Sequence, residues 1–446
     1  LNISTFTSLY IGQSALNTTQ NQENVVGNNI SNANTPGYAK EVVNVSEGTP
    51  FPTEPSTNAP LIGGQFGQGA SIQSITRAID PFYNQQDRQN QSAASQSSAF
   101  ATGMTQVEGV LNEPSSGSLQ NALDTFFSSW QTVSQNPSDS SARQTVLASA
   151  QGLAQTYQTV TNQLETTQQN LNQQVSASIT QVNQDATQIA TLNAQIARAT
   201  ASGDNPNTLY NQRAAVLDSL SKLTNYSYTE QASGMVSVSV GSTVLVSGSS
   251  ATPVSSLTST GGSIAGNSQT ITQIQSTLGK LNTFLQTLST TVNNQVTAGY
   301  PLSGTANAPA LFQSSTDANG NTVLSVAPLT PSQLGVAGSP NSPGDNTNAQ
   351  KVMAIQNQNT LSGGTFDQFI GGMVSQVGIT AQGAIQTNQT NQALLLQSHQ
   401  LRQSVSGVNL NNEATQLIQY QNAYSAAAKF ISVFDSMMQT LMQMNT

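Results

Sequence analysis

Near its C-terminus the chain carries an uninterrupted three-four alternation of Leu417, Tyr420, Tyr424, Ala427, Ile431, Phe434, Met438 and Leu441. Residues three and four apart stack on one helical face, so this spacing is the seam of a long helix packed lengthwise against a partner. A break at Ser406 and Gly407 precedes it. Asn409 stands where it would cap the helix, and Glu413 falls in the first turn, where the helix dipole favours an acid. A chain with this ending must cover the seam from within itself or from outside.

Residues 1 to about 33 offer a counterpart. They read as a helix whose apolar positions include Ile3, Phe6, Leu9, Leu16, Val26 and Ile30. That stripe is thinner than the C-terminal one. Burying a Leu, Ile, Phe or Met is worth about 1.5–3 kcal/mol, so the surplus apolar surface has a use. Either the C-terminal helix caps the chain's own core, or other copies or relatives complete the pair.

Between the ends the pattern changes several times. Pro36 to about Ser74 is extended and loop-rich, with "EVVNVSEG" as its β-like piece. A helical region runs from about Pro81 to Leu223, broken at "NEPSSGS", "NPSDSS" and "SGDNPN". Its longest piece sets Val175, Val182, Ile189 and Ile196 a heptad apart, as in a rod-like helix. From Tyr226 to Ala265 the period is two, with a turn at Gly241 and Ser242. A helix candidate follows at Thr270–Ala298, then a loop-rich stretch with a hairpin turn at Asn319-Gly320, then helical signal from Ala349 to Ser404.

The expected fold is mainly α with a smaller β-rich part. It has long helices in an antiparallel rod-like bundle, paired N- and C-terminal coiled-coil helices and a β-rich central insertion. In domains, 1–35 and 405–446 form the paired terminal helices. Residues 36–230, 265–300 and 346–404 form a helical rod domain with an extended segment near 36–75, and 231–264 with 301–345 form a small β-rich region.

Composition removes several function classes. Only 7% of residues are charged, with eleven Lys and Arg against twenty Asp and Glu. The basic residues are scattered singly, so no stripe could neutralise a row of phosphates and no nucleic-acid partner is expected. Cysteine is absent, which excludes disulfides and thiolate chemistry. No stretch reaches the ~20 apolar residues of a membrane span, and the first residues do not read as a cleavable secretory signal. His399 is the only histidine, too few for a zinc site, and is read as solvated or locally satisfied. The "GGQFGQG" run at 63–69 lacks the Lys-Ser or Lys-Thr of a phosphate loop. No catalytic residue, cofactor or metal is expected, and the chain is not read as an enzyme.

One short corner remains, "GNNISNANTPGYAK" at 27–40. Pro36 pushes Thr35 out of the α region, so the first helix stops before it. Pro36-Gly37 suits the centre of a type II turn, with positive φ at Gly37. Asn28, Asn29, Asn32 and Asn34 could adopt left-handed conformations or bond neighbouring backbone, and Tyr38 adds an amphipathic ring.

The run "NNISNANTPGY" at 28–38 resembles the N-terminal signature of the axial proteins of the bacterial flagellum, the rod, hook and first junction proteins. Residues 406–442, "SGVNLNNEATQLIQYQNAYSAAAKFISVFDSMMQTLM", resemble the C-terminal signature of the same group. The stretches at 112–157, 209–223 and 343–352 are similar to the junction members rather than to rod or hook proteins, which are mostly β between their ends. The resemblance covers most of the chain. It implies a structural subunit, exported through the flagellar type III apparatus, that self-assembles at the distal end of the hook and lies outside the cell at the hook–filament junction. The implied partners are other copies, the hook protein, the second junction protein (hook-associated protein 3) and an export chaperone at the C-terminal helix.

Carried over by position, the assembly surface is Asn28, Asn29, Ile30, Asn32, Ala33, Asn34, Thr35, Gly37 and Tyr38, with Leu417, Tyr420, Tyr424, Ile431, Phe434, Met438 and Leu441. Two departures stand out. Asn411 and Asn412 replace the family's usual acidic residues, which weakens the cap and any charge-based contact there. Ala39-Lys40 replaces a polar residue and arginine, which removes a bidentate contact. Rival readings are a secreted adhesin with a β-rich binding region, another axial protein of the hook or rod, and a hydrolase using His399.

Overall fold

A computed structural model gives the fold for residues 6–50, 67–111, 115, 117–317, 320, 322–361 and 364–444. Ile3, the first four residues of the 63–69 glycine run, Asn319 and the side chains of Phe6 and Leu441 lie outside the described residues. In chain order the elements are α1 (Phe6–Ser31), β1 (Glu41–Glu47), β2 (Ala70–Arg77), α2 (Pro81–Leu111), α3 (Leu119–Gln135), α4 (Ser140–Ala201) and α5 (Asn207–Leu223). Then come β3 (Ser227–Glu230), β4 (Val236–Val240), β5 (Thr243–Ser247), β6 (Ser250–Ala251), α6 (Gly262–Thr297), β7 (Phe312–Thr316), β8 (Thr322–Val326), α7 (Thr347–Ala354), α8 (Phe366–Ser406) and α9 (Leu410–Gln443). The chain is mainly α with a β-containing part.

Local chemistry sets the helix starts. Asp80 accepts from the Phe82 N–H at 2.8 Å ahead of Pro81, a residue with no N–H to leave unpaired. Asp139 accepts from Ser141 N–H at 2.8 Å and opens the 62-residue α4. Thr365 and Gln368 cap each other's backbone N–H groups at 3.2 and 3.1 Å, a reciprocal capping box at the start of α8. That box divides the helical stretch expected over 349–404, because α7 ends at Ala354 and Leu361 pairs with Gly364 in a tight turn before α8 begins.

Helix α6 starts eight residues earlier than its sequence indicates. The expected period of two runs to Ala265, yet Ile264 and Ala265 are buried in α6. A Cβ at Gly266 would meet the Gln96 carbonyl and the Ala99 methyl. The glycine there permits close helix approach.

The chain forms two compact units, with α2, α4 and α8 contributing to both. The first comprises Leu1–Ala93, Ile179–Thr260 and Gln392–Thr446; the second comprises Ala94–Ser178 and Gly261–Asn391. In the second, Phe126, Phe127, Trp130, Tyr157, Phe284 and Phe366 are buried in one apolar core. Phe126 packs edge-on against Phe127 and Trp130, and Phe284 against Phe366. The antiparallel pair β7–β8 belongs to this unit, with Gly320 at φ +85° in its turn. Arg143 is also fully buried here, donating to the carbonyls of Pro137 and Leu334 at 2.6 and 2.8 Å.

The first unit holds the antiparallel pair β1–β2 and the four-stranded sheet β3-β4-β5-β6. Val236, Val238 and Val240 alternate inward from β4, and Gly241 makes the expected turn at φ +56°. Asn193 of α4 lies behind this sheet. Its amide donates to Val236 O at 2.7 Å and accepts from Val236 N–H at 3.2 Å, as a neighbouring strand would.

That two-point pairing recurs. Asn183 pairs with both backbone groups of Val254 at 2.8 and 2.9 Å, and Asn293 with both of Phe312 at 2.8 and 2.9 Å. A buried backbone group left unpaired costs about 1–3 kcal/mol. Helix asparagines meet that need without charge, which gives the chain's asparagine-rich, charge-poor composition a structural use.

Candidate assembly site at the paired termini

Helix α1 packs along α9 more extensively than any other two elements described. The pairing is antiparallel. Gly12 faces Phe430 and Ile431, where a Cβ would come within 3.1 and 2.6 Å of their side chains, and Asn29 reaches Glu413. From 12 to 29 on α1 and from 413 to 430 on α9 is seventeen residues each, so the helices stay in step over ~25 Å.

The corner after α1 follows the expected course. Tyr38 N–H donates to Thr35 O at 3.1 Å across Pro36-Gly37, with Gly37 at φ +77°. A Cβ at Gly37 would lie 2.7 Å from that of Ala215 in α5, so packing also demands glycine. None of the corner asparagines is left-handed; among the described residues the non-glycine positive φ falls at Asn341. They act through their side chains. Asn32 donates to Asn28 O at 3.0 Å and accepts from the Thr35 hydroxyl at 3.1 Å, closing the end of α1.

Asn29 is the hub. Its amide pairs with both backbone groups of Glu41, donating to O at 3.0 Å and accepting from N–H at 2.9 Å, which fixes the first residue of β1. The same amide oxygen accepts from the Tyr38 hydroxyl at 2.7 Å. Its nitrogen also donates to Oε2 of Glu413 at 3.0 Å. Burial, with the carboxylates of Glu41 and Glu413, raises the Tyr38 phenol well above its ordinary pKa. Asn29 is 1% exposed, so its contacts are internal and it has no surface for a second subunit.

Glu413 is fully buried, and its other oxygen meets Lys40 Nζ at 2.8 Å. Lys40 backbone N–H donates to Ser406 O at 2.9 Å, and its carbonyl accepts from Ala78 N–H at 2.7 Å. One carboxylate therefore ties α9 to α1 and to the entry of β1. The two departures from the family pattern resolve here. Asn409 alone caps the N–H groups of Asn411 and Asn412, at 3.1 and 3.2 Å, and Lys40 makes a single charged contact instead of a fork.

Beside this node lies a cleft of about 990 Å³ lined by the corner, Asp87, Arg88, Asp218, Lys222, His399 and Arg402, among others. Arg88 meets Asp218 at 2.7 Å, and Arg402 bridges Asp218 at 2.7 Å and Asp87 at 2.9 Å. Burial opposes the charge on Arg88 and Arg402. The charge interactions with Tyr226 and Asp218 outweigh it at Arg88, and Asp218 with the Asp87 hydrogen bond outweighs it at Arg402, so both guanidinium pKa values are raised. Ser398 and Arg402 of α8, Asp87 and Arg88 of α2 and Asp218 of α5 thus form one latch. The partners stand 130 or more positions apart, so no local spacing reveals them. His399 is half exposed, with Nε2 2.9 Å from the Gln403 amide and Nδ1 3.6 Å from Asp87.

On α9 the seam residues Leu417, Tyr420, Ala427, Ile431, Phe434 and Met438 are half-buried and Tyr424 is exposed. Ile30, Ala33, Gly37 and Tyr38 are half-buried; Asn28, Asn34 and Thr35 are exposed. Next to the seam runs a second apolar stripe, Phe430, Val433 and Met437, exposed at 48, 53 and 58%, with Ala423 and Ala426 continuing it and Met444 beyond. Ala423, Ala426, Phe430, Val433 and Met437 each sit one residue before a seam position, or about 100° around the helix. Reading a single face of the helix overlooks it.

Helices α1 and α9 thus pair within one unit and meet at a buried node, the arrangement implied by the resemblance of the two terminal signatures to axial proteins of the bacterial flagellum. Three family profiles match: "Flagellar hook-associated protein FlgK helical domain" over residues 104–260, "Flagella basal body rod protein" over 9–38 and "Flagellar basal body rod FlgEFG protein C-terminal" over 399–444. The chain is 27% identical to flagellar hook-associated protein 1 of Bacillus subtilis, covering 98% of this chain and 97% of that one. It is 24% identical to the Salmonella typhimurium protein of the same name, over 96% and 98% of the two chains. The fold matches the structure of the flagellar hook junction protein FlgK from Burkholderia pseudomallei with a TM-score of 0.64, at 18% identity, over 72% of this chain and all of that one. Over nearly its full length the chain is thus similar to proteins named flagellar hook-associated protein 1, and it carries a match to that protein's helical domain.

Proposed function

We propose that the chain is a self-assembling structural subunit of the hook–filament junction, laid down on the distal end of the hook. The observation that carries this reading is the second stripe of α9. An apolar face of Phe430, Val433 and Met437 remains open after α1 has covered the adjoining seam, and α-helices with two such faces suit lateral packing of copies. Burying three such side chains contributes about 1.5–3 kcal/mol each. The sparse charge leaves few like-charge contacts to oppose that packing.

Partners in this reading are other copies of the chain, the hook protein below, the second junction protein above, and an export chaperone that holds α9 before assembly. The surface offered includes Asn28, Asn34 and Thr35 of the corner, the α9 stripe at Phe430, Val433 and Met437, and Tyr424, the exposed member of the seam. Export through the flagellar type III route places the subunit outside the cell. The test is a chain ending after Ser404, produced in a strain lacking its own junction protein. It should keep a folded second unit yet restore no filament growth, and restored swimming would refute the assembly role of α9.

A further inference from the structure

The node at Glu413 lies at one end of the α1–α9 pair. Antiparallel helices with a three-four seam can slide by one turn and meet an equivalent seam, since apolar contacts are non-directional. Along α1 and α9 a steric stop is the notch at Gly12, which admits Ile431 and Phe430; apolar contact alone does not single out one register. Leu417, Tyr420, Ala427 and Ile431 on α9 are half-buried, and Val25 and Val26 on α1 are buried. A slip of one turn moves α9 by ~5.4 Å.

Polar contacts behave differently. Glu413 has one Asn donor at 3.0 Å and one ammonium at 2.8 Å, and it is closed off from water. Sliding α9 by a turn would leave a buried carboxylate unpaired, which costs far more than the seam gains. Asn29 and Lys40 are themselves fixed, the first to both backbone groups of Glu41 and the second to Ser406 and Ala78. The carboxylate therefore meets a rigid socket.

We infer that Glu413 is the positioning residue of the terminal pair, the group that fixes the axial register of α9 on α1 and thereby sets the height at which the Phe430–Val433–Met437 stripe meets a neighbouring copy. The consequence for assembly rests on the self-assembly reading above; the register itself does not. Single buried polar groups are known to set register in coiled coils at some expense of stability.

The absence of cysteine from the chain gives a direct reporter. With Gly12→Cys fixed on α1, a second cysteine is placed at Ile431, or one turn away at Ala427 or Asp435 together with Ile431→Ala so that the new side chain at 12 has equal room in all three, in the full-length protein at dilute concentration, and disulfide formation is measured. With Glu413 intact, only the 12–431 pair should close. Glu413→Gln should spread closure over 427, 431 and 435. Lys40→Met, which leaves α9 untouched, should do the same, whereas Lys40→Arg should restore the single pair. The inference is overturned if Glu413→Gln and Lys40→Met keep the 12–431 pair alone, or if they abolish closure at all three positions. Polymer formation is read on the same proteins without the added cysteines. If the unsubstituted chain forms no polymer while cross-linking shifts as described, the self-assembly reading fails and the register inference stands.

Discussion

The side-chain amide of Asn29 donates to the Glu413 carboxylate at 3.0 Å across 384 positions of sequence. The two residues belong to the two terminal signatures, and neither is exposed. The signatures are therefore halves of one internal joint. Its asparagine also serves as a surrogate strand for Glu41.

Asn29→Asp should destabilise the terminal pair more than Asn29→Ala. The acid removes both donated hydrogen bonds and sets a second carboxylate against Glu413, whereas alanine only leaves partners unsatisfied, at about 1–3 kcal/mol. Hydrogen exchange in α1 and α9 measures this, with α3 and α6 as unaffected references. Equal acceleration in the two variants would contradict the geometry.

Gly37→Ala combines two penalties that can be separated. A left-handed non-glycine residue costs roughly 1–2 kcal/mol, and the added methyl collides with Ala215, an overpacking cost of about 1–3 kcal/mol. Ala215→Gly should relieve the second penalty and not the first. Urea unfolding of the two single variants and the double variant should show a coupling of at least ~0.5 kcal/mol. Simple additivity would mean that the two positions do not touch.

Asp185 on α4 gives a pH signature. It is buried, with Gln181 donating to one oxygen at 2.9 Å, and burial raises its pKa above the ordinary 3.8. The native state then holds a proton that the unfolded chain has already lost, so this group's contribution falls as pH rises through the native pKa. Asp185→Asn should stabilise the first unit at pH 7, make little difference below the ordinary carboxylate pKa, and flatten the profile between. Thermal unfolding across that range checks it; destabilisation by Asp185→Asn at pH 7 would reverse the sign.

The helix limits were legible where proline, glycine or an N-cap marks them, as at Pro81, Gly203 and Asn409. Two boundaries were not. The start of α6 was hidden because sequence does not show the facing Gln96 carbonyl that requires glycine at 266. The Thr365–Gln368 box was hidden within a stretch, 349–404, that reads as continuous helical signal. At the site, the turn at Pro36-Gly37 followed from local chemistry. The roles of Asn29 and Glu413 depend on partners supplied by the fold, so the corner read as a helix stop and the acid as a dipole contact. The latch of Arg88, Asp218, Arg402 and Asp87 leaves no sequence pattern, since isolated charges gain their meaning only when distant helices meet.

Substituting the outer stripe should separate folding from assembly. Val433 and Met437 are more than half exposed, so Val433→Ser with Met437→Ser should cost the isolated chain less than about 1 kcal/mol. The same pair should prevent polymer growth. Ile431→Ser, on the face against α1, should instead loosen the helix pair itself. Circular dichroism and sedimentation of the purified proteins distinguish the two, and normal polymers from the double variant would remove the stripe from the assembly surface.

The central claim is position. A tagged copy of the full chain, supplied to a strain lacking its own junction protein, can be located on intact flagella by immunogold electron microscopy. The account predicts label confined to the boundary between hook and filament, with filaments restored. Label spread along the filament or over the cell surface, or filaments growing without the protein, would contradict it.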